Sequence, residues 1–455
     1  MVALDQASPA PPATLVARRL PAPRLSFDAH YRMQRDTNAY QGLVRFGPYD
    51  QGLPTRQTDL RPLLIHPRDQ EQLASAFARA LEYGLLQFRG MGSLFRGVRF
   101  VDQGERRCVV EADASMPLGD AARTYRQAVE RHLSRDADYD IAYIIDYGRR
   151  GRGVEPDPYG EVKALLAAHG IPSQVLSVGL LSDQRTLSHA LPNIALATYA
   201  KVGNTPWALV ADSDASELIV GLARADYGRR LGRSDRVMGL CTLFRYNGAF
   251  VYWEGLQGSA QWDEYPGALQ RLIVSAVREY EAAGHEAPRR LTFHVSGMRP
   301  GRVEPAAIAD ALGELGLKCE VAVIHIDDSS LFWLMDGADA SCLPETGLAV
   351  QLSPRDFVLV AEGRHDGGVA LPRRPLRVTI DGDLTTVPAD QFPELVEKVF
   401  YLTRMNWRGF RARSVPVSVY YPQLIARYAL AFQRQQLWAP ITKNVTLRRR
   451  KAWFL

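Results

Sequence analysis

Stretches of continuous apolar sequence alternate with amphipathic stretches, and this pattern predicts two successive α/β domains. Between residues 56 and 205, apolar runs such as LRPLLIHP and DIAYIIDYG lie between polar ends, as buried parallel strands do. The segment QEQLASAFARALEYGL instead repeats its apolar residues at helical spacing. A helix at 158–169 and a strand near 175–179 complete a βαβ unit, and ligands of such sheets gather at the carboxyl ends of the strands.

Residues 206–455 predict a second α/β domain. Its early strands ELIVGLA, RVMGLCTLFRY and FVYWEG form an antiparallel meander, and later strands such as LTFHVSG alternate with helices. Residues 1–55 precede both domains. We expect the Pro- and Ala-rich residues 1–23 to be disordered at their start, and residues 24–55 to be globular.

The composition is that of a globular protein too long for a single core. Of the 455 residues, 46% are hydrophobic and 23% charged, and 55 basic against 50 acidic residues give a net charge of only +5. The positions of the positive charges are therefore more informative than their sum. We find no signal peptide and no run of ~18 apolar residues, so we expect a cytoplasmic protein without a membrane span. Four cysteines lack metal-like spacing and are expected to be reduced and mostly buried: Cys108, Cys241, Cys319 and Cys342.

The stretch from Asp157 to Lys201 combines helix ends with polar side chains. Asp157 can cap a helix whose first residue is Pro158. Tyr159 and Lys163 are four residues apart, so they share one face of that helix. A second helix, expected to follow Pro192, carries Lys201 near its C-terminus. Four side chains therefore predict a phosphate pocket: Tyr159, Lys163, Gln174 and Lys201.

Further positive charge follows the predicted strand 141–146. Arg149, Arg150 and Arg152 follow Asp146 and the intervening Tyr147 and Gly148 in the sequence. If the strand belongs to the same sheet, these arginines lie near the pocket. The alternative is a solvated loop with no ligand.

The four pocket residues resemble the Y-K-Q-K set with which the MID domain of Argonaute proteins holds the 5′-phosphate of a guide strand. Longer motifs carry the same resemblance: RFGPYD at 45–50, KVGNTPWAL at 201–209, LTFHVSGMRP at 291–300, RMNWRGFRARSVPVSVYYPQL at 404–424 and the final AWFL. The sequence is most similar to short prokaryotic Argonautes, which contain only MID and PIWI domains. The resemblance implies a Rossmann-like MID domain at 56–205 and a ribonuclease-H-like PIWI domain at 206–455, with residues 1–55 packing on PIWI.

The resemblance also implies that the PIWI domain is catalytically inactive. PIWI nucleases hold two divalent metals with carboxylates and sometimes a histidine, and hard cations need such ligands. The three positions that match those ligands carry no charge: Ala223, Ser296 and Gln423.

Other ionisable side chains near the strand ends were considered as substitutes. Asp226 follows Ala223 by three residues, and Glu254 ends the strand FVYWE. If either reached the metal site, the domain would be an active nuclease with displaced carboxylates. His294 and His325 lie inside apolar runs and are interpreted as hydrogen-bonded core residues.

Two basic segments are candidates for phosphate contact. The first segment, at 404–413, places arginines beside aromatic residues, a combination that suits contact with a single strand or an A-form duplex. The alternative is a solvated loop next to a core tryptophan. The second segment, RRRK at 448–451, precedes Trp453-Phe454-Leu455, which is too apolar for a tail left in water. The resemblance favours guide or target backbone contact for the first segment, through Arg404, Arg408, Arg411 and Arg413, with Trp407 and Phe410 among them.

In Argonautes the C-terminal carboxylate reaches the guide 5′ end and holds a divalent cation. The resemblance therefore implies that Leu455 helps to bind Mg²⁺. Relatives also place a glutamine four residues before the second lysine, where this sequence has Ala197. Asn193 is a further candidate for contacting the first guide nucleotides.

The functional expectation from the resemblance is guide-dependent recognition of nucleic acid in prokaryotic immunity, without cleavage. The guide is expected to be RNA, the target single-stranded DNA, and the output a separate APAZ-domain effector in a heterodimer. That effector is expected to degrade NAD, so that plasmid or phage invasion ends in abortive infection. A sirtuin-like effector domain is the first expectation, and a TIR domain is the second. The alternatives are the active nuclease above and an unrelated α/β enzyme with a small-molecule pocket around Tyr159 and Lys163.

Overall fold

The structure is a computed structural model that describes most of the chain. Residues 1–14, Arg152 and Arg450, named above, lie outside the described residues. Within the described ranges, no helix combines the length and apolarity needed to cross a membrane. None of the four cysteines, all of which are described, forms a disulfide bond, and Cys342 is exposed. The described residues are 15–30, 33–101, 106–134, 138–151, 155–210, 216–230, 233–297, 303–364, 373–449 and 451–455, without the side chains of 227–230 and 233–236.

The described strands and helices follow in chain order. The strands are β1 Val16–Arg19, β2 Leu25–Ser26, β3 Arg35–Asp36, β4 Asp59–Leu60, β5 Pro62–Pro67, β6 Arg99–Phe100, β7 Arg107–Val110, β8 Ile141–Asp146, β9 Ser173–Ser177, β10 Ala208–Leu209, β11 Glu217–Arg230, β12 Arg233–Arg245, β13 Phe250–Gly255, β14 Ala260–Gln261, β15 Arg290–Ser296, β16 Glu320–Asp327, β17 Leu348–Ser353, β18 Asp356–Leu359 and β19 Leu376–Ile380. The helices are α1 Ala39–Phe46, α2 Glu71–Tyr83, α3 Met91–Leu94, α4 Leu118–Leu133, α5 Pro158–Ala168, α6 Val178–Ser182, α7 Gln184–Lys201, α8 Tyr265–Ala282, α9 Val303–Leu315, α10 Phe392–Leu402, α11 Val417–Arg434, α12 Trp438–Lys443 and α13 Val445–Arg448.

The first α/β unit contains a parallel sheet in the order β7-β5-β8-β9. The two central strands, β5 and β8, are buried along their whole length, which is why their sequences are continuously apolar. Alternate residues of each strand contact opposite layers. Leu63 and Ile144 pack with α4 and α5, whereas Leu64 and Ile145 pack with α2 and α7.

The second unit contains the long sheet β1-β17-β18-β19-β16-β15-β11-β12-β13, with β14 paired to β12. Strands β11, β15 and β16 run parallel, while β12 and β13 are antiparallel to their neighbours. This is the topology of a ribonuclease-H-like sheet. Helix α11 packs on one face and α8 on the other, so the two faces of β11 have different surroundings. Strand β1 pairs with β17, so Val16–Arg19, within the Pro- and Ala-rich start, is an edge strand of this sheet.

The leading segment contacts the end of the first unit through a buried carboxylate. Asp50 accepts hydrogen bonds from the Tyr199 hydroxyl and, at 2.7 Å, from the Thr205 backbone N–H. The Tyr49 N–H donates to the Pro206 carbonyl at 2.9 Å. The motifs at 45–50 and 201–209 are therefore in direct contact.

Candidate phosphate-binding site

A cavity of about 210 Å³ forms where the first unit meets the second. It brings together all four residues of the predicted pocket, although they come from two helices and a strand. It also contains three residues predicted separately, Asn193, Arg408 and Leu455. The full lining is Arg150, Tyr159, Lys163, Ser173, Gln174, Val175, Asn193, Ile194, Ala197, Lys201, Arg408, Tyr428 and Leu455.

The start of α5 places two of these residues. The Asp157 side chain accepts from the Gly160 N–H at 2.7 Å and from the Gly151 N–H at 2.9 Å, and the helix begins at Pro158. Tyr159 and Lys163 then project from the same face toward β9. The helix ends at Ala168, close to the predicted residue 169.

The helix that carries Lys201 begins earlier than predicted. We expected it after Pro192, but α7 starts at Gln184 because Asp183 caps it, accepting from the Arg185 and Thr186 N–H groups. Pro192 therefore lies inside the helix. The cap signal outweighs the loss of one backbone hydrogen bond at this proline.

The predicted position at the carboxyl ends of the strands is also wrong for most of the site. Ser173 and Gln174 are the first residues of β9, which is the edge strand of its sheet. The cavity lies beside the beginning of this strand. Lys201 is the last residue of α7, and its ammonium reaches the carbonyl of Ser173, the first residue of β9. Among the arginines after strand β8, Arg150 does line the cavity.

Two buried lysines dominate the electrostatics of the cavity. Lys163 and Lys201 are 3% and 1% exposed. The Lys201 ammonium donates to the Ser173 carbonyl at 2.8 Å and to Gln174 Oε1 at 2.6 Å, and the Lys163 ammonium lies 3.5 Å from the Ser173 and Trp453 carbonyls. Neither lysine pairs with a carboxylate side chain anywhere in the described residues. Burial lowers the pKa of both amines, and for Lys201 the neighbouring Lys163 and Arg408 lower it further.

Two tyrosines complete the wall opposite the lysines. The Tyr159 and Tyr428 hydroxyls are 2.8 Å apart, and the Lys163 ammonium lies 4.9 Å from the centre of the Tyr428 ring. The Arg150 guanidinium stacks over Tyr159 at 5.1 Å. Burial raises the pKa of Tyr159, so its hydroxyl stays protonated and can donate. Sequence reasoning missed Tyr428, because nothing in the sequence pairs it with a residue 269 positions away.

The predicted arginine segment does not form one surface. Arg408 lines the cavity and donates to the Tyr420 hydroxyl at 3.2 Å, and Arg411 is exposed. Arg413 stacks on the same Tyr420 at 4.3 Å. Arg404 packs on the Phe400 ring at 4.8 Å, its guanidinium lies 3.4 Å from the Ala361 carbonyl, and burial lowers its pKa to about 10.

The aromatic members of this segment are structural. Trp407 is buried in the core. Phe410 packs against the Tyr40 and Trp207 rings, and its N–H donates to Asn193 Oδ1 at 3.3 Å. The expectation that these aromatics stack on bases is therefore not supported, whereas Asn193 connects α7 directly to the arginine segment.

The end of the chain is built into the core beside the cavity. Trp453, Phe454 and Leu455 are buried, as the apolar sequence predicted. The preceding cations are engaged: Arg448 pairs with Glu254 at 2.9 Å, and Arg449 pairs with Glu279. These two arginines are thus not free for a nucleic acid.

The lining does not fit a resident divalent cation. Lys163, Lys201 and Arg408 are cationic, Ala197 offers no ligand, and Leu455 could supply only its carboxylate. Across the described residues, no three His, Cys, Asp or Glu side chains converge on a metal-sized site. The set of hydroxyl, ammonium, guanidinium and amide donors fits a phosphate dianion instead. Mg²⁺ stays a prediction from the resemblance.

The three positions predicted to match the metal ligands of PIWI nucleases lie together on the α11 side of the large sheet. Ala223 on β11 and Ser296 on β15 both face α11, which carries Gln423. The Gln423 amide donates to the Ser296 hydroxyl at 2.9 Å. A neutral hydrogen bond thus joins two of these three positions.

The possible substitutes face elsewhere. Asp226 and Glu254 lie on the α8 side of the sheet, where Glu254 accepts from the Tyr252 hydroxyl at 2.9 Å and pairs with Arg448. The two histidines are hydrogen-bonded core residues, as interpreted. His294 contacts the Ser418 hydroxyl at 2.6 Å, and burial lowers its pKa to about 3; His325 lies 3.4 Å from Asp381.

Comparison with known proteins agrees with this architecture. A model of the Piwi domain matches residues 153–433. An Argonaute from Cereibacter sphaeroides is 25% identical over 453 residues, covering 92% of this chain and 56% of the relative. A Piwi protein from Archaeoglobus fulgidus is 28% identical over 286 residues, covering 59% and 65% respectively. The chain thus spans little more than half the length of these relatives.

Solved structures share the fold. Clostridium butyricum Argonaute bound to a guide DNA and a 19-mer target DNA superposes with a TM-score of 0.70 at 16% identity, covering 92% of this chain and 53% of that one. Drosophila Piwi gives a TM-score of 0.68 at 16% identity, covering 96% and 56%. The mixed α/β fold with a ribonuclease-H-like PIWI domain and the predicted resemblance to Argonautes are confirmed. The chain belongs to the Piwi-domain family.

Proposed function

We propose that this chain holds the 5′-phosphate of a guide strand and recognises a complementary target through base pairing. The observation that carries the proposal is the buried pair Lys163 and Lys201, which has no carboxylate partner in the described residues and shares its cavity with the Tyr159–Tyr428 hydroxyl pair. A phosphate dianion supplies the missing negative charge. The duplex would be read by its backbone shape, with sequence left to base pairing. The solved Clostridium butyricum Argonaute is bound to a guide DNA and a 19-mer target DNA.

The proposed partners follow the resemblance. The guide is RNA, the target is single-stranded DNA, and the chain works as a short Argonaute in prokaryotic cytoplasm. Target recognition activates a separate APAZ-domain effector that degrades NAD and so serves antiviral and anti-plasmid defence. The preferred effector domain is sirtuin-like, and a TIR domain is the second choice. The chain itself does not cleave, which is supported by the Ser296–Gln423 hydrogen bond and by Ala223 at the third position.

The test is the affinity of the purified chain for two RNAs of identical sequence, one 5′-phosphorylated and one ending in a 5′-hydroxyl. We expect clearly tighter binding of the phosphorylated strand. Equal affinities would refute the assignment of the cavity. Incubating the guide-loaded chain with labelled complementary DNA in Mg²⁺ or Mn²⁺ should leave the target intact, and a guide-directed product would show that the PIWI domain is active.

The alternatives gain no support. An active site with displaced carboxylates needs Asp226 or Glu254, and both face away from Ala223. An unrelated α/β enzyme is contradicted by the Piwi-domain match over most of the chain.

A further inference from the structure

A short segment between β16 and β17 exposes large apolar side chains to solvent. Leu331, Trp333 and Met335 are 84%, 53% and 77% exposed, and Phe332 between them is also exposed. We call Leu331, Phe332, Trp333 and Met335 the apolar tip. Single exposed apolar residues are ordinary, but four within five positions form a contiguous patch of the kind that marks interaction sites.

Hydrogen bonds and ion pairs hold both ends of this segment. Before the tip, Asp327 accepts from the Ser329 N–H at 3.0 Å, and the Ser330 hydroxyl donates to the Pro375 carbonyl at 3.0 Å. After it, Asp336 and Asp339 both pair with Arg364. The tip is therefore presented in a fixed position, which reduces the entropy lost when a partner binds.

We propose that the apolar tip is the docking site for the effector protein, which offers it an apolar pocket with a carboxylate opposite Arg374. This inference rests on the proposed function in one respect, that the effector is a separate chain. The guide pocket does not enter into it.

The chemistry of the tip favours a protein over a nucleic acid. Tryptophan, methionine and arginine are enriched at protein interfaces, and tryptophan and arginine are the commonest hot spots. The Arg374 guanidinium lies 5.6 Å from the centre of the Trp333 ring and has no carboxylate partner in the described residues. An acidic group of a partner would complete this pair. By contrast, the most exposed members, Leu331 and Met335, are not aromatic and give no platform on which bases stack.

The carboxylates next to the tip point the same way. Asp328 and Asp336 flank it in the sequence. Arg364 already pairs with Asp336, so phosphate groups that approached the tip would meet the charge of Asp328, whereas a protein surface can place a donor opposite it. The patch thus combines an apolar centre with a mixed-charge rim, as protein interfaces do.

The apolar tip lies close to the cleft that would hold the guide–target duplex, so a protein docked there could respond when the cleft fills. Ile326 on β16 pairs with Ser296 on β15, one of the degenerate catalytic positions. Leu331 follows Ile326 by five residues, which is at most about 18 Å of extended chain. A protein docked on the tip therefore sits at the same end of the sheet as the cleft that would hold the guide–target duplex, close enough to be displaced or reoriented when the cleft fills.

The first experiment measures binding of a purified APAZ-domain effector of the kind that the proposed function requires. We compare the full chain with a variant carrying Leu331→Ser, Trp333→Ser and Met335→Ser, and with the matched control Leu86→Ser, which removes a side chain that is 66% exposed in the first unit. The triple variant should bind the effector at least about 30-fold more weakly, the loss expected for one hot-spot side chain, and the control should bind normally. Arg374→Glu should also weaken binding without touching the apolar patch.

The outcomes separate this inference from the proposed function. All variants should keep their preference for a 5′-phosphorylated guide, which also shows that they are folded. If the effector binds the triple variant as tightly as the unaltered chain, the docking site is wrong while the function stands. If the effector does not bind the unaltered chain, the proposed effector partnership and the docking site both fail, and the guide assay still reports on the pocket.

A second experiment identifies the occupant directly. A photoreactive phenylalanine in place of Trp333, in the guide-loaded chain mixed with effector and target, should crosslink to the effector. The same group in place of Leu86 serves as the control. Crosslinks from position 333 to a second copy of this chain, or to the labelled nucleic acid, would overturn the proposal in favour of self-association or strand binding.

Discussion

Replacing both Lys163 and Lys201 with alanine should abolish the preference for a 5′-phosphorylated guide. Each ammonium can give the phosphate a charge-assisted hydrogen bond worth about 1.5–3 kcal/mol. The two lysines share the Ser173 carbonyl and repel each other, so their contributions are coupled. We therefore use the lower end of the range for each lysine, about 1.5 kcal/mol. A loss of about 3 kcal/mol corresponds to roughly 150-fold in affinity. The 5′-hydroxyl guide, which gains little from the ammonium groups, should lose much less.

The assay is a filter-binding titration of both guides, and the matched control is Lys318→Ala, which removes an exposed lysine of the second unit. Thermal unfolding gives an independent reading. Because burial of the two amines is unfavourable in the free chain, the double variant should keep or raise its melting temperature. A variant that stays folded and still discriminates between the guides would show that the phosphate binds elsewhere.

Three further predictions use the same assays. The pKa of Lys201 is lowered in the free chain, and a bound phosphate raises it. At a pH between that lowered value and about 10.4, binding of a 5′-phosphorylated guide should therefore take up protons, and the affinity should fall as the pH rises. Calorimetry in buffers of different ionisation enthalpy measures whether protons are taken up or released, and release would contradict the prediction. Replacing the exposed Arg411 with alanine should weaken guides of all sequences alike and reduce the salt slope by about 0.7 if it contacts one single-strand phosphate; a loss confined to some sequences would refute backbone contact. Deleting the buried Phe454 and Leu455 should reduce guide affinity more than Arg448→Ala does, whereas an equal loss in the same titration would reduce the chain end to a packing element.

The central pocket could be predicted because its defining residues lie within one stretch of 45 positions, with helix signals that fix their spacing. A capping Asp157 before Pro158 and the spacing of four positions from Tyr159 to Lys163 suffice to place both side chains. The predicted start of α7 is wrong because a proline favours a helix start, whereas in the structure the cap at Asp183 sets the start and Pro192 lies inside the helix.

Contacts across the chain could not be predicted in this way. Tyr428 reaches Tyr159 only because α11 packs beside α5, and no local pattern encodes that meeting. The arrangement of the arginine segment could not be predicted for a related reason. Its residues alternate between the cavity, the core and the surface, and the burial of Trp407 depends on neighbours far away in sequence.

The cavity is lined by residues that are added to the growing chain at different times during translation. At ~5–20 residues per second, Arg408 and Tyr428 are added roughly 10–40 s after Lys201, and Trp453 comes later still. Until then the cavity lacks the contacts that Lys163 makes with the Trp453 carbonyl and the Tyr428 ring. A translation product that stops early therefore lacks part of the wall of the proposed phosphate site.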